Sequence, residues 1–198
     1  MIPKIKFCGL KLQSEVDFCV ANQIDFIGFV FHASSPRNLQ IEQFSNLNLE
    51  KARHIVAVFK DSTSAHILQV LAKNRVDFIQ IHGDIPQELM GDGRVIKVFS
   101  GEDFTPNDFI SYQFCKYFLF DGINAGSGDV RDFSFAKNMI SITKKPFFLA
   151  GGINIDNINE VLRFTNMLDI SSGIEEIRGV KCFKLMENIV KSVRRTSL

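Results

Sequence analysis

Hydrophobic and polar positions along this chain alternate in blocks rather than residue by residue. Short apolar runs occupy Lys4–Cys8, Phe26–Phe31, Ile55–Phe59, Phe78–His82, Val95–Phe99, Tyr117–Asp121, Phe147–Ala150 and Leu168–Ser171. They are rich in Val, Ile and Phe and lack the period-two pattern of a strand with one wet face. Strands buried on both faces read this way, which predicts a parallel sheet. Segments with helical spacing lie between them. Ser14–Gln23 begins with a capping residue, and Ser64–Asn74 places Ile67, Val70 and Leu71 on one face. Ile155–Phe164 does the same with Ile158, Val161 and Leu162, and Phe183–Val193 is the last such segment. The links between the fourth, fifth and sixth strands are short and carry Gly91, Gly93 and Gly101, so truncated helices are expected there.

Strand and helix in regular alternation predict an α/β fold, a compact (β/α)8 barrel forming one domain over residues 1–198. An open doubly wound sheet is the rival arrangement. No Pro/Gly/Ser-rich linker divides the chain. Its 45% hydrophobic content is enough for one core.

The net charge of +1 provides no field to gather nucleic acid or an anionic membrane. The basic stretch Lys191–Arg195 reads as a solvated helix C-terminus favoured by the helix dipole. Cys8, Cys19, Cys115 and Cys182 form no CxxC and lie at no metal-ligand spacing from a His. They predict a reducing compartment, with neither a disulfide framework nor a zinc site. MIPKIKFCG lacks the apolar core of a signal peptide, and no apolar run approaches the ~20 residues that span a bilayer. A cytoplasmic protein is expected. There are twenty Phe and no Trp. Phe fills core volume without an N–H to satisfy.

In a barrel the C-terminal ends of the strands converge on one face, where chemistry is done. Those ends carry Cys8-Gly9, a loop reaching Arg37, His82-Gly83-Asp84, Asp121 with Gly126 and Gly128 in its loop, Gly151-Gly152-Ile153-Asn154 and Ser171-Ser172-Gly173. Glycines in the two last loops let backbone N–H groups approach an anion, as in phosphate-binding barrels. They also suit tight βα turns, and the two readings compete. Cys8 and Asp121 are the candidate acid–base pair, although a buried Cys is often only a small hydrophobe and such an Asp often caps a helix. Arg37 is either a solvated loop charge or a bidentate clasp for a carboxylate. His82 is either a core histidine or a ligand contact.

KFCG (Lys6–Gly9), GFVF then SPR (Gly28–Arg37), QIHGD (Gln80–Asp84), VIK (Val95–Lys97), LFD (Leu119–Asp121), LAGGIN (Leu149–Asn154) and DISSGIE (Asp169–Glu175) together resemble the phosphoribosylanthranilate isomerase family, in its order and about its spacing. The resemblance implies a (β/α)8 barrel and an Amadori rearrangement in tryptophan biosynthesis, with no cofactor, no metal and a small phosphorylated substrate. It implies Cys8 as general base, Asp121 as general acid, Arg37 facing the anthranilate carboxylate, and Gly152, Ser172 and Gly173 in the phosphate loops. Gly126, Gly128, His82, Gly151 and Asn154 complete the expected substrate contacts. It leans towards a monomer. Two segments depart from the family pattern. The loop after the sixth strand reads AGSGDVRDFSF (Ala125–Phe135), with Asp129 where a lysine is common and Phe135 in place of a tryptophan. The usual PG-K-D after SSGIE is present only loosely, as RGVKCFK.

The chemistry makes demands on both groups. A free cysteine is only about 3% thiolate at pH 7, and a free aspartate is almost wholly ionised. Asp121 must therefore be held protonated by desolvation or by a neighbouring anion if it is to donate. Another phosphate-binding barrel isomerase or epimerase, and a non-catalytic phosphate-binding barrel, are the alternatives. The histidine-pathway isomerase would carry an aspartate where this chain has Cys8. A metal-dependent epimerase would need more His and Asp ligands than His82 and Asp121.

Overall fold

The structure, a computed structural model, describes residues 2–100, 105–122 and 145–195. Its frame is eight strands: β1 (Lys4–Cys8), β2 (Phe26–Phe31), β3 (His54–Lys60), β4 (Phe78–His82), β5 (Val95–Ser100), β6 (Tyr117–Asp121), β7 (Phe147–Ala150) and β8 (Met167–Ile170). Each pairs in parallel with the next, and β8 returns to β1 through Lys4↔Met167, Ile5↔Leu168, Lys6↔Asp169 and Phe7↔Ile170. That closure excludes the open doubly wound sheet.

Strand parity explains the lack of alternation in the sequence. Ile5, Phe7, Ile27, Phe29, Ile55, Ala57, Ile79 and Ile81 face outward into the layer shared with the helices. Cys8, Phe26, Val56, Val58, Ile96, Val98, Leu119, Phe148 and Ala150 face into the barrel. Both faces are dry, so apolar residues occupy both parities. Phe26 meets Phe148 edge to face at 5.0 Å and Tyr117 at 5.9 Å, and Phe78 joins them at 5.7 Å from Phe26. Phe26, Phe78 and Tyr117 are the first residues of their strands. These rings therefore floor the barrel at its N-terminal end, each pair adding about 0.5–1.5 kcal/mol beyond area burial.

The helices among the described residues are α1 (Gln13–Ala21), α2 (Ile41–Ser45), α3 (Ser64–Leu71), α4 (Pro106–Ser111), α5 (Ile158–Val161) and α6 (Phe183–Arg195). The two links between β4, β5 and β6 carry truncated helices as expected: among the described residues, a 3-10 turn at Gln87–Leu89 and the six-residue α4. Ser14 does not cap α1 but lies within it. The Glu15 carboxylate instead accepts from the backbone N–H of Lys11 and Leu12 at 2.6 and 3.0 Å, satisfying the chain before the first turn. The helix expected at Ile155–Phe164 shrinks to α5, because Asn154 and Asn157 hold the preceding residues in a turn. Asn154 Oδ1 accepts from Asp156 N, and Asn157 Oδ1 accepts from Asn154 N.

Two elements have no counterpart in the hydrophobic pattern. These are β9 (Glu175–Ile177) and β10 (Val180–Lys181), an antiparallel pair after β8. The turn between them depends on Gly179, at φ +87°, where a Cβ would lie 2.6 Å from the Pro36 carbonyl oxygen. Gly179 thereby pins the hairpin onto the loop after β2. Among the described residues no helix is long and apolar enough to cross a membrane.

Candidate active site

The C-terminal ends of the strands enclose a cavity of about 260 Å³. Cys8, Arg37, His82, Asp121, Gly151, Gly152 and Ser172 all line it. Asn154 and Gly173 do not. Asn154 fixes the loop after β7 through its turn. Gly173 serves a close approach, since a Cβ there would lie 1.9 Å from the Ile153 carbonyl oxygen. Gly126 and Gly128, with the whole stretch Ala125–Phe135, lie outside the described residues.

Cys8 ends β1, and the next residue turns away at φ +80°, with Gly9 N donating to Gly28 O at 2.8 Å. Its thiol is free and buried in the cavity wall. Burial pushes the thiol up and Asp169 adds to this, while Lys6 and Lys181 pull it back, and the net displacement is upward. Asp121 ends β6, half-buried, with Ala150 of β7 beside it in register.

Beneath Cys8 lies a pair that the strand pattern did not single out. Lys6 is fully buried, and its ammonium donates to Asp169 Oδ1 at 2.8 Å. The two residues are directly opposite in the β1–β8 register. Burial works against the ammonium, but Asp169 and Cys8 outweigh it and its pKa is raised. The signal was present in the sequence: Lys6 stands between Ile5 and Phe7 in KIKFC and Asp169 between Leu168 and Ile170 in MLDI, charges of opposite sign flanked by apolar residues.

Arg37 is already engaged. Its Nε and Nη2 donate to Glu175 at 2.6 and 2.7 Å, and Lys181 Nζ donates to the same carboxylate at 2.8 Å. Burial alone would raise the Glu175 carboxyl; the hydrogen bonds from Arg37 and Lys181 reverse this and hold it at about 2. His82 accompanies Gln80 at 3.2 Å. Burial, and then the cations Lys6, Lys60 and Lys97, lower its pKa to about 4, so it is neutral at pH 7. Gln80 is buried and lines the cavity, and among the described residues its Oε1 has no hydrogen-bond partner. A buried acceptor of this kind ordinarily has a partner. Among the described residues no group of three His, Cys, Asp or Glu could hold a metal ion.

A closed parallel barrel with a thiol and a carboxylate at separate strand ends of one mouth cavity has the architecture of the (β/α)8-barrel enzymes, whose strand ends carry the functional side chains. The family model described as N-(5'phosphoribosyl)anthranilate (PRA) isomerase matches residues 5–192. The chain belongs to that family. It is 32% identical over 201 residues to the N-(5'-phosphoribosyl)anthranilate isomerase of Campylobacter jejuni, covering 97% of this chain and 99% of the relative. The crystal structure of the Thermus thermophilus phosphoribosyl anthranilate isomerase superposes with a TM-score of 0.85 at 28% identity, covering 98% and 99% of the two chains. A phosphoribosyl anthranilate isomerase in complex with reduced 1-(o-carboxyphenylamino)-1-deoxyribulose 5-phosphate superposes with a TM-score of 0.79 at 22% identity, covering 98% and 99%, and at that identity shares the fold.

Proposed function

We propose that this chain isomerises N-(5-phosphoribosyl)anthranilate to 1-(2-carboxyphenylamino)-1-deoxyribulose 5-phosphate, a step of tryptophan biosynthesis, with Cys8 as base and Asp121 as acid. Family membership supports the reaction. The observation that carries the residue roles is the presence of Cys8 and Asp121 on one cavity, from strands on different sides of the barrel. Acid and base must address neighbouring atoms of one substrate from different directions.

Asp121, protonated, donates to the furanose ring oxygen. The C1–O bond breaks and the anthranilate nitrogen supplies the electron pair, giving an iminium. Cys8, as thiolate, takes the C2 proton, and the C–H electrons form the C1=C2 bond of an enolamine while the iminium is neutralised. Tautomerisation then gives the ketone. The iminium places positive charge next to Cys8 at the step where a thiolate is needed.

Gly151 and Gly152, at φ +99° and +67°, and Ser172 on the adjacent loop form the proposed phosphate end. Gly173 lets these two loops touch. Arg37 spends two of its five N–H donors on Glu175, and the rest remain for the anthranilate carboxylate. We read the chain as a cytoplasmic monomer; a single species of dimer mass in size-exclusion chromatography with light scattering would contradict the monomer. Complementation tests the reaction. The gene should restore growth without tryptophan to a strain lacking this isomerase, and Asp121→Asn should not. Failure of the well-expressed wild-type chain to complement, together with no turnover of phosphoribosylanthranilate by the purified protein, would reject the reading.

A further inference from the structure

Lys6 and Asp169 take no part in the proton transfers above, yet they lie buried against the proposed base. Gly28 of β2 is the register partner of Cys8. A Cβ on Gly28 would lie 3.0 Å from Cys8 Sγ and 3.2 Å from Lys6 Nζ. Thiol and ammonium thus share the space that the missing side chain leaves. An ammonium has three donors. One is given to Asp169 Oδ1 at 2.8 Å, and Cys8 Sγ faces the ammonium across the same gap.

We propose that Lys6 is a positioning residue that sets the charge state of Cys8 across the gap at Gly28, and that Asp169 tunes it in the opposite sense. The inference rests on Cys8 being the base. Lys6 acts in two ways. Its positive charge favours the thiolate, and it neutralises Asp169, whose charge would otherwise hold the proton on sulfur. Lys6 stays protonated throughout. The C2 proton passes to sulfur, one C–H bond breaking as one S–H bond forms, and the ammonium neither gives nor takes a proton.

Other charged groups also face Cys8. Lys181 reaches it from β10 and Arg37 from the loop after β2, both with Glu175 as partner, while Asp121 and His82 lie on the same cavity wall. Glu175 screens the first two, and His82 is neutral at pH 7. Lys6 is therefore the cation that pulls hardest on the thiol among the described residues, and Asp169 opposes it.

The test reads the thiol directly and does not need isomerase activity. The rate of Cys8 alkylation by iodoacetamide is followed against pH by mass spectrometry of the Cys8 peptide, in wild type, Lys6→Met and Asp169→Asn. Lys6→Met should move the midpoint up by about one pH unit or more, roughly tenfold less thiolate at neutral pH. Asp169→Asn should move it down. The basic-side shift should recur in the pH profile of kcat/KM. A purely structural ion pair would move neither midpoint, and unchanged midpoints in both variants would overturn the proposal. If Lys6→Met does not fold, Asp169→Asn decides: a lowered midpoint supports the proposal, and an unchanged or raised one overturns it. If the midpoints move as expected but the wild-type chain turns over no phosphoribosylanthranilate, the functional reading fails while the charge relation stands.

Discussion

Gly28 shows how much one absent side chain can hold open. Alanine there would place a methyl 3.0 Å from Cys8 Sγ and 3.3 Å from Cys8 Cα, which is backbone and cannot swing aside. Gly28→Ala should therefore lower kcat by about tenfold to a hundredfold through misplacement of the base. A kcat within twofold of wild type would remove Gly28 from the account. His82 has a pH consequence of its own. Its pKa lies at about 4 in the folded chain against about 6.5 unfolded, so the unfolded chain binds more protons between those values. The stability this contributes is fully present above pH 6.5 and is lost as the pH falls towards 4, on the order of 3 kcal/mol in all. Urea unfolding across this range should show the decline, and His82→Gln should flatten it. An identical decline in the variant would assign it to other groups. His82 could be read from the sequence as a histidine at a strand end. Its lowered pKa could not, because it comes first from burial in the fold and then from Lys6, Lys60 and Lys97 on three other strands.

At the scale of elements, the β9–β10 hairpin and the loops after β7 and β8 shape the two ends of the proposed substrate site. Glu175 leaves the hairpin to meet Arg37 across 138 residues of sequence. Arg37→Ala should raise KM about tenfold or more while largely sparing kcat, because a charge-assisted contact to the substrate carboxylate is lost. An unchanged KM would mean that Arg37 serves only to hold Glu175. Gly173 makes a separate demand, since a Cβ would meet Ile153 O at 1.9 Å and Asn154 Cα at 2.9 Å, both backbone. Gly173→Ala should force the two loops apart, costing about 1–3 kcal/mol in urea unfolding. It should also weaken inhibition by inorganic phosphate. Unaltered stability and phosphate inhibition would show that the loops need not touch. The sequence announced the long, strongly apolar elements well. It did not announce the hairpin, since Glu175–Lys181 is short and polar and its turn is stabilised by packing on Pro36, a contact absent from local pattern. Ser14 misled for a related reason: the Glu15 side chain was the better partner for the orphan N–H groups ahead of α1.

Over the whole molecule, dry strands on both faces made the barrel legible, and the β1–β8 pairing confirms the closure that the block pattern predicts. Cys8, Arg37, His82, Asp121, Gly151, Gly152 and Ser172 were found by position at strand ends, because the fold gathers those ends whatever their separation in sequence. Lys6, Asp169 and Gln80 were not singled out, because they lie one layer below, where polar residues carry no strand-end signature. The barrel holds a floor of aromatic rings, a buried charge pair above it and, above that, the residues proposed to transfer protons. We propose that Cys8 and Asp121 perform the isomerisation at the mouth of this barrel. The most direct measurement is kcat/KM on phosphoribosylanthranilate, coupled to indole-glycerol-phosphate synthase, for wild type, Cys8→Ala and Asp121→Asn at matched urea stability. Each variant should lose about a hundredfold to ten-thousandfold. A folded Cys8→Ala protein with near-wild-type kcat/KM would contradict the account.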